Sequence, residues 1–295
     1  MKKWNLLVLT LVLSVVLAAC GGTEETETSE EGGTEDNGNL GEESLTLSYV
    51  EWDSEIASTY VIQKVLEDAG YSVEITPLDN AIMWQSVATG ESDGMVSAWL
   101  PLTHGDLYDE YEEQFEDLGA NLEGAKIGMV VPQDFPVDSI ADLSDEAGQT
   151  VTGIEPGAGV VQAAENAVEE YDNLEGWEVQ TSSSGAMATE LGQAMENGEE
   201  IVVTGWSPHW KFQVHDLKYL DDPEGIFGEE EHINTIVRQG LGEDSPHAYD
   251  ILDNFSWTTE DMEAVMLDIE EGASPEEAAT TWVEENQDMV SEWTQ

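Results

Sequence analysis

"VSAWLPLTH", residues 96–104, reads as a buried strand that stops at Pro101 and hands on to a turn carrying His104. Proline cannot continue a central strand, so the apolar run ends there with Trp99 near its exit. Upstream, "LTLSYVEW" (45–52) alternates as a strand. "SEIASTYVIQKVLEDAG" (54–70) has helical apolar spacing, with Ser54 as its expected cap and Gly70 as its stop. "YSVEITPL" (71–78) predicts a second strand and "NAIMWQSVATG" (80–90) a short helix, so "DGMVSAWL" (93–100) is the third strand. Strand–helix alternation of this kind predicts a mostly parallel α/β sheet with functional groups at the strand ends.

A second series begins at "AKIGMVVP" (125–132). It continues through the short helical stretch "SIADLSDEAG", the strand "QTVTGIE", the turn "PGAG" (156–159) and the helix "VVQAAENAVEEY". The strand "WEVQTSS", the helix "GAMATELGQAMENG" and the strand "EEIVVTGW" (199–206) follow. The chain returns through "INTIVRQGL" to a helical tail over 245–293. Two α/β lobes with two crossings, near Ala125–Val131 and Asn234–Gly240, are the simplest arrangement. The expected division is 45–128 plus 236–295 for lobe I and 129–235 for lobe II.

The start of the chain has another character. Residues 1–19 hold two lysines and an apolar run ending in Leu17-Ala18-Ala19, followed by Cys20, the only cysteine. This is the layout of a signal peptide, and "LAAC" before Gly21-Gly22 resembles a bacterial lipoprotein signal with Cys20 as the lipidated residue. One cysteine excludes an internal disulfide. Residues 20–44 are almost wholly small and acidic, the composition of a disordered tether. An extracytoplasmic domain anchored to the outer face of the cell membrane is the expectation.

The chain carries 65 Asp and Glu against 7 Lys and Arg, a net charge of −58. Loss of Lys2 and Lys3 with the signal would make it −60. Such a balance argues against a nucleic-acid partner and against adhesion to anionic lipid, and suggests a halophilic, solvated acidic surface.

Trp52, Trp99 and Trp206 each stand where a predicted strand runs out. A lone tryptophan there is ordinary core, but three form a pattern, because ligands of open α/β sheets bind outside those ends. Indole faces suit a cation without hydrogen-bond donors, so the three predict a quaternary-ammonium cage worth about 0.5–2 kcal/mol per contact. "GIEPGAGVVQAA" puts Gly157, Ala158 and Gly159 between a strand and a helix, where backbone N–H groups favour an anion. Together with His104 as a donor, this turn would suit the carboxylate of a small zwitterion.

"YVEWDSEIAS", "SAWLPLTH", "GIEPGAGV", "VVTGWSPHWKFQVHDLKYLDDP" and "NFSWTTEDM" together resemble the glycine betaine-binding proteins of osmoregulatory ABC importers, and the likeness covers essentially all of residues 45–295. The resemblance implies a two-lobed type II periplasmic-binding-protein fold with a hinge and an inter-lobe ligand cleft. It implies that Trp52, Trp99 and Trp206 surround trimethylammonium, and that His104 and the amides of Gly159 and Val160 hold the carboxylate. Valine stands at 160 where the family often has isoleucine. A membrane permease and an ATPase would be the partners and the binding protein would be a monomer; proline betaine, carnitine and choline are the alternative ligands.

Other features read plainly. His209 and His215 lack metal-ligand context, so neither a metal nor a cofactor is expected. Trp210 is expected to pack beneath the pocket, Asp53 to cap a helix, and Trp84, Trp177, Trp257, Trp282 and Trp293 to be core or helix-face residues. An enzyme is not expected: a secreted hydrolase would need an activated nucleophile, and GxSxG is absent. No EF-hand loop supports calcium binding.

Overall fold

The computed structural model describes residues 40–295; the expected signal peptide, Cys20 and most of the tether lie outside the described residues. The first half alternates strand and helix: β1 (Ser44–Tyr49), α1 (Asp53–Asp68), β2 (Ser72–Pro77), α2 (Asn80–Thr89), β3 (Gly94–Leu100) and α3 (Gly105–Tyr111). Then β4 (Phe115–Pro132) leads to β5 (Thr150–Thr152), α4 (Gly159–Glu170), β6 (Glu178–Gln180), α5 (Ser184–Asn197), β7 (Val202–Ser207), α6 (Lys211–Val214) and β8 (Leu217–Tyr219). After β9 (Glu231–Arg238) come α7 (Leu241–Asp244), α8 (Pro246–Asn254), α9 (Thr259–Glu270), α10 (Pro275–Glu285) and α11 (Gln287–Trp293).

The strands join in the order β2-β1-β3-β9-β4-β7-β5-β6, with β8 on β4. Pairs β1–β2, β1–β3, β5–β6 and β5–β7 are parallel. Every pair made by β4 or β9 is antiparallel, so the sheet is mixed rather than mostly parallel. The direction of a crossing strand leaves no mark in its hydrophobic pattern, which is why the sequence does not reveal it.

β4 binds β9 through Ala125 and β7 from Lys126 onward, so the chain changes sides within this one strand. β9 pairs with β3 or β4 from Glu231 to Arg238, so a division at 235/236 would cut a paired strand. β8, ending at Tyr219, pairs with β4 at Val130–Pro132, whereas β9, from Glu231, pairs with β4 only up to Ala125.

Local signals explain the helix ends. α1 buries Ala57, Val61, Ile62, Val65 and Leu66 and is followed by Gly70 at φ 108°. Its N-cap is Trp52, with no side-chain cap. The capping expected of Ser54 and Asp53 is therefore absent, since both lie inside the first turn and face elsewhere. Thr258 with Asp261, and Ser274 with Glu277, form capping boxes on α9 and α10. All seven residues of β3 are buried, which places Trp99 at the rim of a continuous core. Trp84, Trp177, Trp257, Trp282 and Trp293 are buried, as expected of them.

Candidate ligand-binding site

One cavity is lined by Trp52, Ser54, Trp99, Thr103, His104, Ile127, Ile154, Ala158, Gly159, Val160 and Trp206. All six residues expected at the ligand are in this set. The free space between these walls is tight, about 20 Å³.

The turn after β3 is built around His104. Its backbone N–H donates to the Trp99 carbonyl at 2.9 Å, and its Nδ1 accepts the Trp99 N–H at 3.1 Å. Nδ1 is thus an acceptor, which leaves the proton on Nε2 in the neutral ring. Nε2 is buried and has no partner among the described residues. Burial pushes the imidazole down to about 3, so His104 is a neutral donor. Its ring stacks on Trp52, with centroids 6.1 Å apart and planes 25° apart, and meets the edge of Trp84 at 5.8 Å. Glu231, at the head of β9, accepts the N–H groups of Leu102 and Thr103 at 2.7 and 2.8 Å and bonds the Thr103 hydroxyl. This buried carboxylate pins the turn to the sheet.

On the facing side α4 begins at the cavity. Ala158 is its N-cap, and the amides of Gly159 and Val160 belong to the first turn, where no carbonyl of the helix can reach them. A Cβ at Gly159 would lie 2.3 Å from the Thr103 carbonyl oxygen, so only glycine lets the helix start approach the His104 turn this closely.

Carboxylates fix two of the indoles. Trp99 Nε1 donates to Glu55 at 2.8 Å, and Trp52 Nε1 donates to Glu155 at 3.1 Å. Glu55 is fully buried, which pushes its carboxyl up to about 8 against the opposing hydrogen bond from Trp99. Glu155 also accepts the Ser184 N–H, so Trp52 of the first half is tied to the second half. Asp53 makes a parallel tie, accepting from Ser184 Oγ and Trp210 Nε1, each at 2.9 Å, with His209 Nε2 at 3.5 Å. Burial raises the Asp53 carboxyl, but its bonds to His209, Trp210 and Ser184 more than reverse this and hold it below the usual carboxylate range. Trp210 is buried and absent from the cavity lining. His209 is buried, which lowers it to about 4, and no metal-ligand cluster occurs among the described residues.

Residues 43–285 match the family described as the substrate-binding domain of ABC-type glycine betaine transport systems. The chain belongs to this family. A lactococcal OpuAC crystal structure, closed and complexed with glycine betaine, is 52% identical and superposes with a TM-score of 0.84; the match covers 86% of this chain and 100% of that one. The glycine betaine/carnitine transport binding protein GbuC of Listeria monocytogenes is 50% identical over 160 residues, 54% of this chain and 53% of that protein. The chain thus spans about half the length of that curated relative. A choline-binding protein of an ABC transporter, solved with choline, is 26% identical with a TM-score of 0.80 over 85% of this chain and 91% of its own. The fold is that of type II periplasmic binding proteins, and family members are extracytoplasmic substrate-binding proteins.

Thr103, Ile127 and Ile154 line the cavity without having been marked in the sequence, Ser54 was marked only as a helix cap, and Ala158 only as part of the anion-favouring turn. Ser54 could have been found from its place two residues after Trp52. The hydrophobic walls carry no signal that separates them from core.

Proposed function

We propose that the chain captures glycine betaine, or a related quaternary-ammonium zwitterion, and delivers it to the permease and ATPase of an osmoprotective ABC importer. Trp52, Trp99 and Trp206 would cage the methylated nitrogen. His104 Nε2 and the amides of Gly159 and Val160 would hold the carboxylate. The observation that carries this reading is a single cavity bringing three indoles together with neutral N–H donors. A trimethylammonium group offers no hydrogen to a carboxylate, so aromatic faces are its natural partner. Relatives crystallised with glycine betaine and with choline support the ligand class.

The register of β4 and β9 supports lobes of about 44–125 with 231–295, and 126–230. Trp52, Trp99 and His104 then come from one lobe, Gly159, Val160 and Trp206 from the other. Ligand contacts made by both lobes would favour the closed form over the open one. Ties such as Trp52–Glu155 and Asp53–Ser184 would add to closure. A monomer, held at the membrane by a lipid on Cys20, suits this role.

Titration with glycine betaine followed by tryptophan fluorescence and calorimetry tests the proposal. Saturable binding is expected, with choline at least about tenfold weaker, because it leaves the carboxylate donors without a charge-assisted bond. Equal affinity for choline would reassign the ligand to a simple quaternary amine. A signal unmoved by either compound would refute the cage.

A further inference from the structure

Behind the cage lies a buried charge that ligand capture does not explain. Lys211 opens α6 and is fully buried, with Nζ 4.2 Å from the centroid of the Trp206 ring and 5.6 Å from that of Phe212. Nζ makes no hydrogen bond among the described residues. Trp206 lines the cavity and Lys211 does not. Its Cε packs over Gly205, where a Cβ would meet it at ordinary contact distance, 3.5 Å, and would clash with Val130 Cγ2 at 2.5 Å.

Building on the cage reading above, we propose that Lys211 sets the strength of cation binding. Its ammonium draws on the same π system of Trp206 that would receive the ligand's quaternary nitrogen. The protonated lysine therefore weakens the cage, and the neutral one frees the ring for the ligand.

The surroundings let this charge change. Burial lowers Lys211 to about 7, while the Asp53 carboxylate on α1 pulls it upward. His209, in the turn before α6, is held neutral by burial and accepts the Lys211 backbone N–H through Nδ1 at 3.2 Å. Beyond Phe212 stands Tyr219 of β8, stacked at 5.2 Å, with Lys126 of β4 over its ring and Glu263 of α9 acting on its hydroxyl. Glu55, beside Trp99, titrates near the same range and is the group to separate from Lys211.

With Nζ 4.2 Å from the ring centroid, a ligand nitrogen held about 5 Å from the opposite face would stand about 9 Å from Nζ. Through protein of effective dielectric about 20 that corresponds to roughly tenfold or somewhat more in affinity.

Calorimetric titration with glycine betaine at pH 6 and pH 8.5 tests this on the full domain. The parent should bind about tenfold more tightly at pH 8.5. Lys211→Met should bind tightly at both pH values, and Lys211→Arg, always charged, weakly at both. A parent that binds at neither pH would overturn the ligand reading itself. A parent that binds, beside a Lys211→Met variant with the same affinities and the same pH slope, would assign the slope to Glu55 and overturn the role of Lys211 alone. Should Lys211→Met fail to fold, Glu55→Gln with Lys211 intact still decides: its binding must release protons at pH 7, measured in buffers of different ionisation enthalpy. Absence of that release would overturn the inference.

Discussion

Trp99 is fixed on three sides: its indole donates to Glu55, its backbone N–H to His104 Nδ1, and its carbonyl accepts the His104 N–H. The ring is therefore preorganised, and its removal acts on affinity. Trp99→Ala, and likewise Trp206→Ala, should weaken glycine betaine at least about tenfold while circular dichroism shows a folded protein; unchanged affinity by calorimetry would remove the residue from the cage. His104→Ala should weaken betaine more than choline, because in the proposed site Nε2 would serve the carboxylate alone; equal losses would deny it that role. Glu55 makes a prediction about pH. Its carboxyl is raised to about 8, so the folded form keeps a proton that the unfolded chain loses near pH 4.5. Stability from this residue is greatest at low pH and is lost as pH rises from about 4.5 to 8. Glu55→Gln should flatten that decline, read as melting temperature against pH. The tryptophans and His104 were legible because their chemistry is rare and their placement repeats. Glu55 was not, since one carboxylate among 65 acidic residues carries no mark until its burial is seen.

At the scale of elements, α4 and the turn after β3 meet so closely that backbone amides join His104 at the end of the cavity proposed for the carboxylate. Gly159→Ala puts a methyl 2.3 Å from the Thr103 oxygen, so either the helix start or the His104 turn must move. Betaine affinity should fall at least about tenfold, since one charge-assisted hydrogen bond is worth about 1.5–3 kcal/mol. Val160→Ile keeps the same N–H and should stay within about threefold of the parent. If calorimetry gave the two substitutions equal effects, side-chain packing rather than the backbone amides would govern this end. The helix and turn were readable from "GIEPGAGV" and "SAWLPLTH", but the strand that joins the halves was only partly so. The first part of β4, Phe115–Gly124, escaped the sequence reading because register shifts between Asp117 and Gly119, Ala120 and Leu122, and Glu123 and Ala125 break its alternation. Gly119 and Gly124 have φ of 93° and 85° there, a backbone form that reads as turn.

For the whole molecule, charge is the dominant fact. Seven basic residues stand against 65 acidic ones, and among the described residues every cation is engaged. Lys64 pairs with Asp68, Lys218 with Asp138, and Arg238 with both Asp93 and Asp244. Lys126 lies over Tyr219 and Lys211 over Trp206. Among the described residues no basic side chain is left to balance the other carboxylates, so the surface repels itself through solvent. That repulsion weakens as the screening length falls from about 10 Å at 0.1 M salt to about 3 Å at 1 M. The melting temperature should therefore climb by several degrees between 0.1 and 2 M sodium chloride. Sucrose, which is excluded from protein surfaces but screens nothing, separates this cause from general preferential exclusion. A rise with sodium chloride well beyond that with sucrose of equal osmolality assigns the gain to charge. Equal rises would mean that the acidic surface serves solubility and contributes nothing to stability through screening.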